Sequence, residues 1–159
     1  MNARIKLVFG LVALIVLTSS PTSRSSLYAG QHQSAEVQET TDTRERVRLA
    51  PAERDAMLAE MRTMLQSLSR IVHGLVAGDL VMVEKAARAS GMGTTVDPDL
   101  QKKLPPHFLQ LALRTHKRFD QLADAVKNGA TKDDVLKRLA VLTGYCVACH
   151  ATYRLEEAR

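Results

Sequence analysis

TKDDVLKRLAVLTGYCVACHATY, residues 131–153, decides how the rest of the chain is read. Val135, Leu139, Leu142, Cys146, Cys149 and Tyr153 recur in it at alternating spacings of four and three residues. That spacing puts all six on one face of a helix with about 3.6 residues per turn. Thr131 with Asp134 three residues later resembles a capping box, with Asp in place of the usual Glu, and marks the helix start. A helix apolar on one face only must bury that face against other elements.

Three earlier segments have matching faces. Pro105-Pro106 opens one in which Phe108, Leu111, Thr115, Phe119, Leu122 and Val126 share a side, and Asn128-Gly129 stops it. Pro51 suits the first turn of another, carrying Met57, Met61, Met64, Leu68, Ile71 and Leu75 and ending at Gly78. Asp79 is a candidate N-cap for a shorter helix through Leu80, Val83 and Ala87 to about Gly91. Residues 92–104, with a Thr pair and two Asp flanking Pro98, read as loop. No strand alternation and no internal repeat competes. The expected fold is all-α, an antiparallel four-helix bundle over residues 50–159.

The start of the chain is of another kind. Arg4 and Lys6 precede the apolar run Leu7–Leu17, which Thr18-Ser19-Ser20-Pro21 breaks. This is the layout of a secretory signal peptide, residues 1–20, with cleavage near Ser20 or as late as Ala29. An uncleaved anchor is the alternative, but eleven helical residues rise only ~16 Å against a bilayer core of roughly 30 Å. The expected address is the periplasm, with no membrane span once the leader is removed. Residues 30–48 are polar and without apolar period, and read as a flexible linker.

Composition narrows the function classes. The chain has 159 residues, 22 Lys+Arg against 17 Asp+Glu and a formal charge of +5, which loss of Arg4 and Lys6 lowers by two. The basic residues are scattered among acids, without the basic stripe and stacking aromatics of a nucleic-acid binder. There is no Trp, and only three Phe and three Tyr, so the core lacks its largest fillers and something else has room to occupy that volume. No nucleophile–base arrangement or paired acid–base site suggests an enzyme.

Both cysteines of the chain lie in Cys146-Val147-Ala148-Cys149-His150. On a helix, positions i, i+3 and i+4 share a face, so both sulfurs and the imidazole point the same way. Two thiols so placed can add to the two vinyl groups of one haem while the adjacent His reaches the iron; the motif is the attachment signature of c-type haem. Three alternatives stand beside it. A thioredoxin-type dithiol needs its pair at a helix start after a strand, and this pair is deep in a helix. A zinc site lacks a fourth ligand. A disulfide between i and i+3 closes too small a loop to stabilise much. Haem attachment to such motifs follows export, in keeping with the expected address.

At its C-terminal end the sequence resembles the class II c-type cytochromes, the cytochrome c-prime family and its six-coordinate relatives. The most specific element is Cys146-Val147-Ala148-Cys149-His150-Ala151-Thr152-Tyr153-Arg154, where the family also places an aromatic and a basic residue one turn after the haem His. Leu104-Pro105-Pro106-His107-Phe108 and Thr115-His116-Lys117-Arg118-Phe119-Asp120 are less specific support, and the resemblance covers about Pro51 to Arg159. It implies one covalent haem c, with His150 as proximal ligand and the first helix across the distal face. The distal residue of the family is either a bulky aliphatic, leaving five-coordinate iron, or a Met.

Counting back from Gly78, the family's distal position falls near residue 62, so Met61 is the candidate ligand and Met64 the fallback. The bland alternative is a Met-rich core stripe. An Arg one turn before the distal residue pairs with a propionate in many members of the family. Arg62 in that role would put Gln66 at the distal position, and Arg54 would put Leu58 there. Arg62 and Arg154 are the candidate propionate partners or supporting cations, with Arg154 otherwise a solvated charge at a helix C-terminus. His116 is either a second axial ligand or a partly buried structural histidine. His32, His73 and His107 carry no assignment.

The leading expectation is an electron carrier that cycles between ferric and ferrous haem and meets redox partner proteins. A five-coordinate protein that binds or senses NO or CO is the second expectation. A non-haem exported bundle with a redox-active Cys pair is the third. Members of the family often form a homodimer through their first two helices, but the exposed faces of these helices give no clear apolar patch in the sequence.

Overall fold

A computed structural model describes residues 41–158, and these are mostly helical. The expected leader, and residues 30–40 of the expected linker, lie outside the described residues. Strand β1, Glu45–Leu49, precedes helix α1, Pro51–Ala77. Helices α2, Leu80–Arg88, and α3, Pro98–Gln101, follow, with a 3-10 turn at Met92–Thr94 between them. Helices α4, Pro106–Lys127, and α5, Lys132–Thr152, and strand β2, Tyr153–Glu157, complete the order.

Local chemistry accounts for the helix ends. Ala50 N donates to Glu53 Oε2 at 3.0 Å, and Pro51 at the first position of α1 lacks an N–H to satisfy. Gly78 closes α1 in the left-handed region at φ 73°, which a side chain would strain. The chain then reverses tightly, because Asp79 N donates to Gly74 O at 2.8 Å while Asp79 Oδ1 caps α2 by accepting from Met82 N at 2.8 Å. At α5 the Thr131–Asp134 box closes in both directions, at 3.2 Å and 3.3 Å. The Thr131 hydroxyl, and to a lesser degree the Thr131 N–H, holds the Asp134 carboxyl below its usual range.

Packing follows chain order: α1 lies against α2, α2 against α4 and α4 against α5. Arg88 of α2 reaches Asp120 at 2.9 Å and Asp124 at 2.6 Å, tying α2 to α4 on their outer side. Between α1 and α5 there is no comparable contact. Two apolar clusters fill the interior. Ile71, Leu75, Val83, Phe119, Leu122, Val135 and Leu142 form one, and Val47, Leu49, Met57, Leu104, Phe108, Leu111 and Tyr153 form the other.

The two strands correct the expectation of an all-helical chain in detail. β1 pairs with β2 in parallel, Glu45 opposite Tyr153 and Leu49 opposite Glu157. Its first four residues fall in the expected linker, where Glu45, Arg46 and Arg48 outnumber the apolar residues. Yet Val47 and Leu49 alternate inward and are only 2% and 1% exposed. A partner more than a hundred residues away leaves no local turn signal in the sequence. The expected loop of residues 92–104 likewise contains α3, a single turn begun by Pro98 and capped by Asp97.

Candidate cofactor site

Where α1 and α5 stand apart, a slot of about 380 Å³ opens. Leu58, Met61, Met64, Leu65 and Leu68 of α1 form one wall, and Cys146, Cys149 and His150 of α5 form the other. Helix α4 supplies the back with Phe108, Ala112 and Thr115, spaced four and three apart. The small side chains at 112 and 115 keep that back wall shallow. The helix periodicity brings the three α5 residues and the Met stripe of α1 to one place. Arg62 lies at the solvent-exposed edge.

The slot also straddles the two apolar clusters. Met64, Leu68 and Cys146 pack on the first, and Met61, Tyr145 and Cys149 on the second. Leu65 is 67% exposed at the slot and Val147 on α5 is 68% exposed, values out of keeping with their size and apolarity. The volume falls within the range of small-molecule sites.

Both cysteines are free and half-buried. Burial, with the neighbouring Cys146 adding to it, pushes the Cys149 thiol up to about 11. Burial also raises Cys146, against a smaller opposing backbone hydrogen bond. Neither is the readily ionised thiol that dithiol redox chemistry uses. His150 is exposed on the same face, and Arg44 Nη1 donates to its carbonyl at 3.2 Å. Asp42 holds that arginine, 2.7 Å from its Nη2, so the segment just before β1 contacts the end of the cysteine helix.

Three assigned or unassigned residues stand elsewhere. Arg154 is on β2 and not at a helix C-terminus, because Tyr153 has already turned to extended backbone. Its guanidinium meets Glu156 at 3.1 Å and Asp42 at 3.5 Å, and it does not line the slot. His116 is 1% exposed and also does not line the slot. Its Nδ1 faces the carbonyls of Ser90 at 2.9 Å and Gly91 at 3.2 Å, and its Nε2 lies 3.1 Å from Glu60 Oε1. Its Nδ1 is taken up by backbone carbonyls and its Nε2 faces a carboxylate rather than the slot. His107, left unassigned, has its Nδ1 2.9 Å from the hydroxyl of buried Tyr153, whose ring meets Phe108 edge-on at 5.3 Å.

Two site residues gave no warning in the sequence. Glu60 lines the slot from between the methionines, and a lone acid beside an apolar stripe normally reads as solvated. Arg44 lies just before β1, whose pairing with β2 had no local signal. Among the described residues, no cluster of three or more His, Cys, Asp and Glu is arranged to hold a metal ion. No helix there is long and apolar enough to cross a membrane. Comparison with protein-family models, curated proteins and solved structures finds no match for the chain.

Proposed function

We propose that residues 50–159 form an antiparallel four-helix bundle of the class II c-type cytochrome kind. In this reading the protein is exported to the periplasm, holds one covalent haem c and passes electrons between redox partner proteins. The observation that carries it is the apolar slot between α1 and α5, with both thiols and His150 on one wall and a Met-bearing helix on the other.

The donor set suits the group. Cys146 and Cys149 would hold the macrocycle through thioether bonds, His150 would supply the proximal nitrogen, and Met61, or Met64 a turn later, the distal sulfur. Neither attachment residue is needed as a metal ligand, so the lack of a closed ligand cluster among the described residues does not oppose it. A flat apolar macrocycle would cover Leu65 and join the two apolar clusters across the gap. Bound haem supplies one-electron exchange at its iron. The chain's own part is to exclude water with Phe108 and Leu68, to fix the α5 backbone through Arg44, and to leave Arg62 at the edge as the candidate propionate partner. Val72, Val76 and Val81 are exposed on α1 and α2, apolar surface that a second copy would cover in the homodimer.

A second reading has its own support. Leu58, Leu65 and Leu68 face the slot beside the methionines, so an aliphatic distal wall would leave five-coordinate iron open to NO or CO. The redox-active Cys pair is the least favoured alternative, since both thiols are raised rather than lowered. One optical series on the mature protein, oxidised, reduced and reduced with CO, tests all three. A six-coordinate carrier gives low-spin spectra that CO changes little. A high-spin spectrum with ready CO binding favours the second reading, and a protein with no Soret band contradicts both.

A further inference from the structure

Glu60 is the one carboxylate lining the slot among the described residues. Its side chain is 10% exposed, and Oε1 has no well-formed hydrogen bond although His116 Nε2 lies 3.1 Å away. A buried carboxylate at an apolar wall is costly, and its retention calls for an explanation.

The His116 ring fixes the polarity of this pair. Carbonyl oxygens only accept, so Nδ1 donates to Ser90 and Gly91. A ring that already donates from Nδ1 makes a favourable contact with a carboxylate only if Nε2 carries a proton as well. In its charged form the pair has its positive end under Ser90 and Gly91 and its carboxylate at the slot wall. His116 itself does not reach the slot, so the two charges do not act on it equally. Arg62 is the arginine on the lining, and it is solvent-exposed and therefore screened. Glu60 is not.

Resting on the haem reading above, we infer that Glu60, held by His116, sets the redox potential of the site by favouring the oxidised state of the group in the slot. Oxidised iron carries one positive charge more than reduced iron, and a fixed negative wall in a water-poor cavity stabilises the more positive state. Glu60 is a positioning residue in this scheme, because it acts through its field and not through bond making.

The test is the midpoint potential of the purified holoprotein, wild type against Glu60→Gln and Glu60→Asp, at one pH and one ionic strength. The Gln amide can still donate to Nε2 of a neutral His116, so the fold is kept while the charge goes. Its oxidised-to-reduced ratio at a given applied potential should fall about tenfold, equivalent to about 59 mV for a one-electron couple. Glu60→Asp keeps the charge and should stay within about threefold of wild type. Glu60→Leu removes the charge by another route, and its shift must have the same sign if the Gln variant fails to accumulate. Holoprotein whose potential is unmoved, moved the other way, or moved equally by Gln and Asp overturns the inference and leaves the haem reading standing. A wild-type protein that carries no haem overturns both.

Discussion

Replacing His116 with alanine should be among the most damaging single changes in this chain, for reasons that can be counted. The side chain is 2% exposed and its partner Glu60 10%, so the pair is out of solvent. Truncation leaves a buried carboxylate without its cation, a loss of about 3–5 kcal/mol where such pairs have been broken. It also leaves the Ser90 carbonyl without its imidazole donor, at about 1–3 kcal/mol for a buried orphan, though local water entry can recover part of it. Gly91 O still accepts from Thr94 N and Thr94 Oγ1. A net loss of about 4 kcal/mol is a large share of a total near 5–15 kcal/mol. At about 4 °C per kcal/mol, Tm should fall by about 15 °C.

The same pair sets a pH signature. Burial pulls the His116 pKa down, but the close Glu60 carboxylate, with the two carbonyls, outweighs it and raises the value above the usual 6.5. The folded protein therefore binds this proton more tightly than the unfolded chain. The stabilisation is complete below 6.5 and is lost as pH rises through the folded value. Thermal melts by far-UV circular dichroism on either side of that window check both statements. Wild type should lose stability as pH rises, and His116→Ala should be unstable throughout with a flatter profile. A variant that melts within about 2 °C of wild type, with the same pH dependence, refutes the buried pair.

Other consequences follow from single contacts. A Cβ on Gly74 would stand 2.8 Å from Val83 Cγ2 and 2.9 Å from Asp79 O. Gly74→Ala gains about 1 kcal/mol of helix propensity but incurs about 1–3 kcal/mol of overpacking, so urea unfolding should find it neutral to about 2 kcal/mol less stable. Tyr153→Phe keeps the ring on Phe108 and removes the hydroxyl from His107, for a loss of about 1 kcal/mol in the same assay. For the sixth ligand, a Met–iron charge-transfer band should vanish in Met61→Ala and survive in Met64→Ala. If neither change alters the spectrum, methionine ligation is wrong.

What the sequence disclosed depended on how far its signals reached along the chain. Helices α1, α2, α4 and α5 were legible because apolar spacing and caps are local. Gly78, Asp79 and the Thr131–Asp134 box each act within a few residues of where they stand. The same periodicity put Met61, Met64, Cys146 and Cys149 on faces that now line one slot. Pairings between distant segments were not legible. Val47 and Leu49 are buried only because β2 runs beside them, and Arg154 left the helix for that same strand. Glu60 was hidden for a related reason. A buried acid is recognisable only through its partner, and His116 sits on another helix.

Covalent haem at Cys146 and Cys149 is the claim on which the rest depends. Intact-mass analysis of the chain, produced with export and haem-attachment machinery and treated with a thiol alkylator, tests it most directly. The mature chain should carry the added mass of one haem and no alkyl groups, and a variant with both cysteines changed to serine should carry no haem. A wild-type chain at bare polypeptide mass, with Cys146 and Cys149 both alkylated, contradicts it.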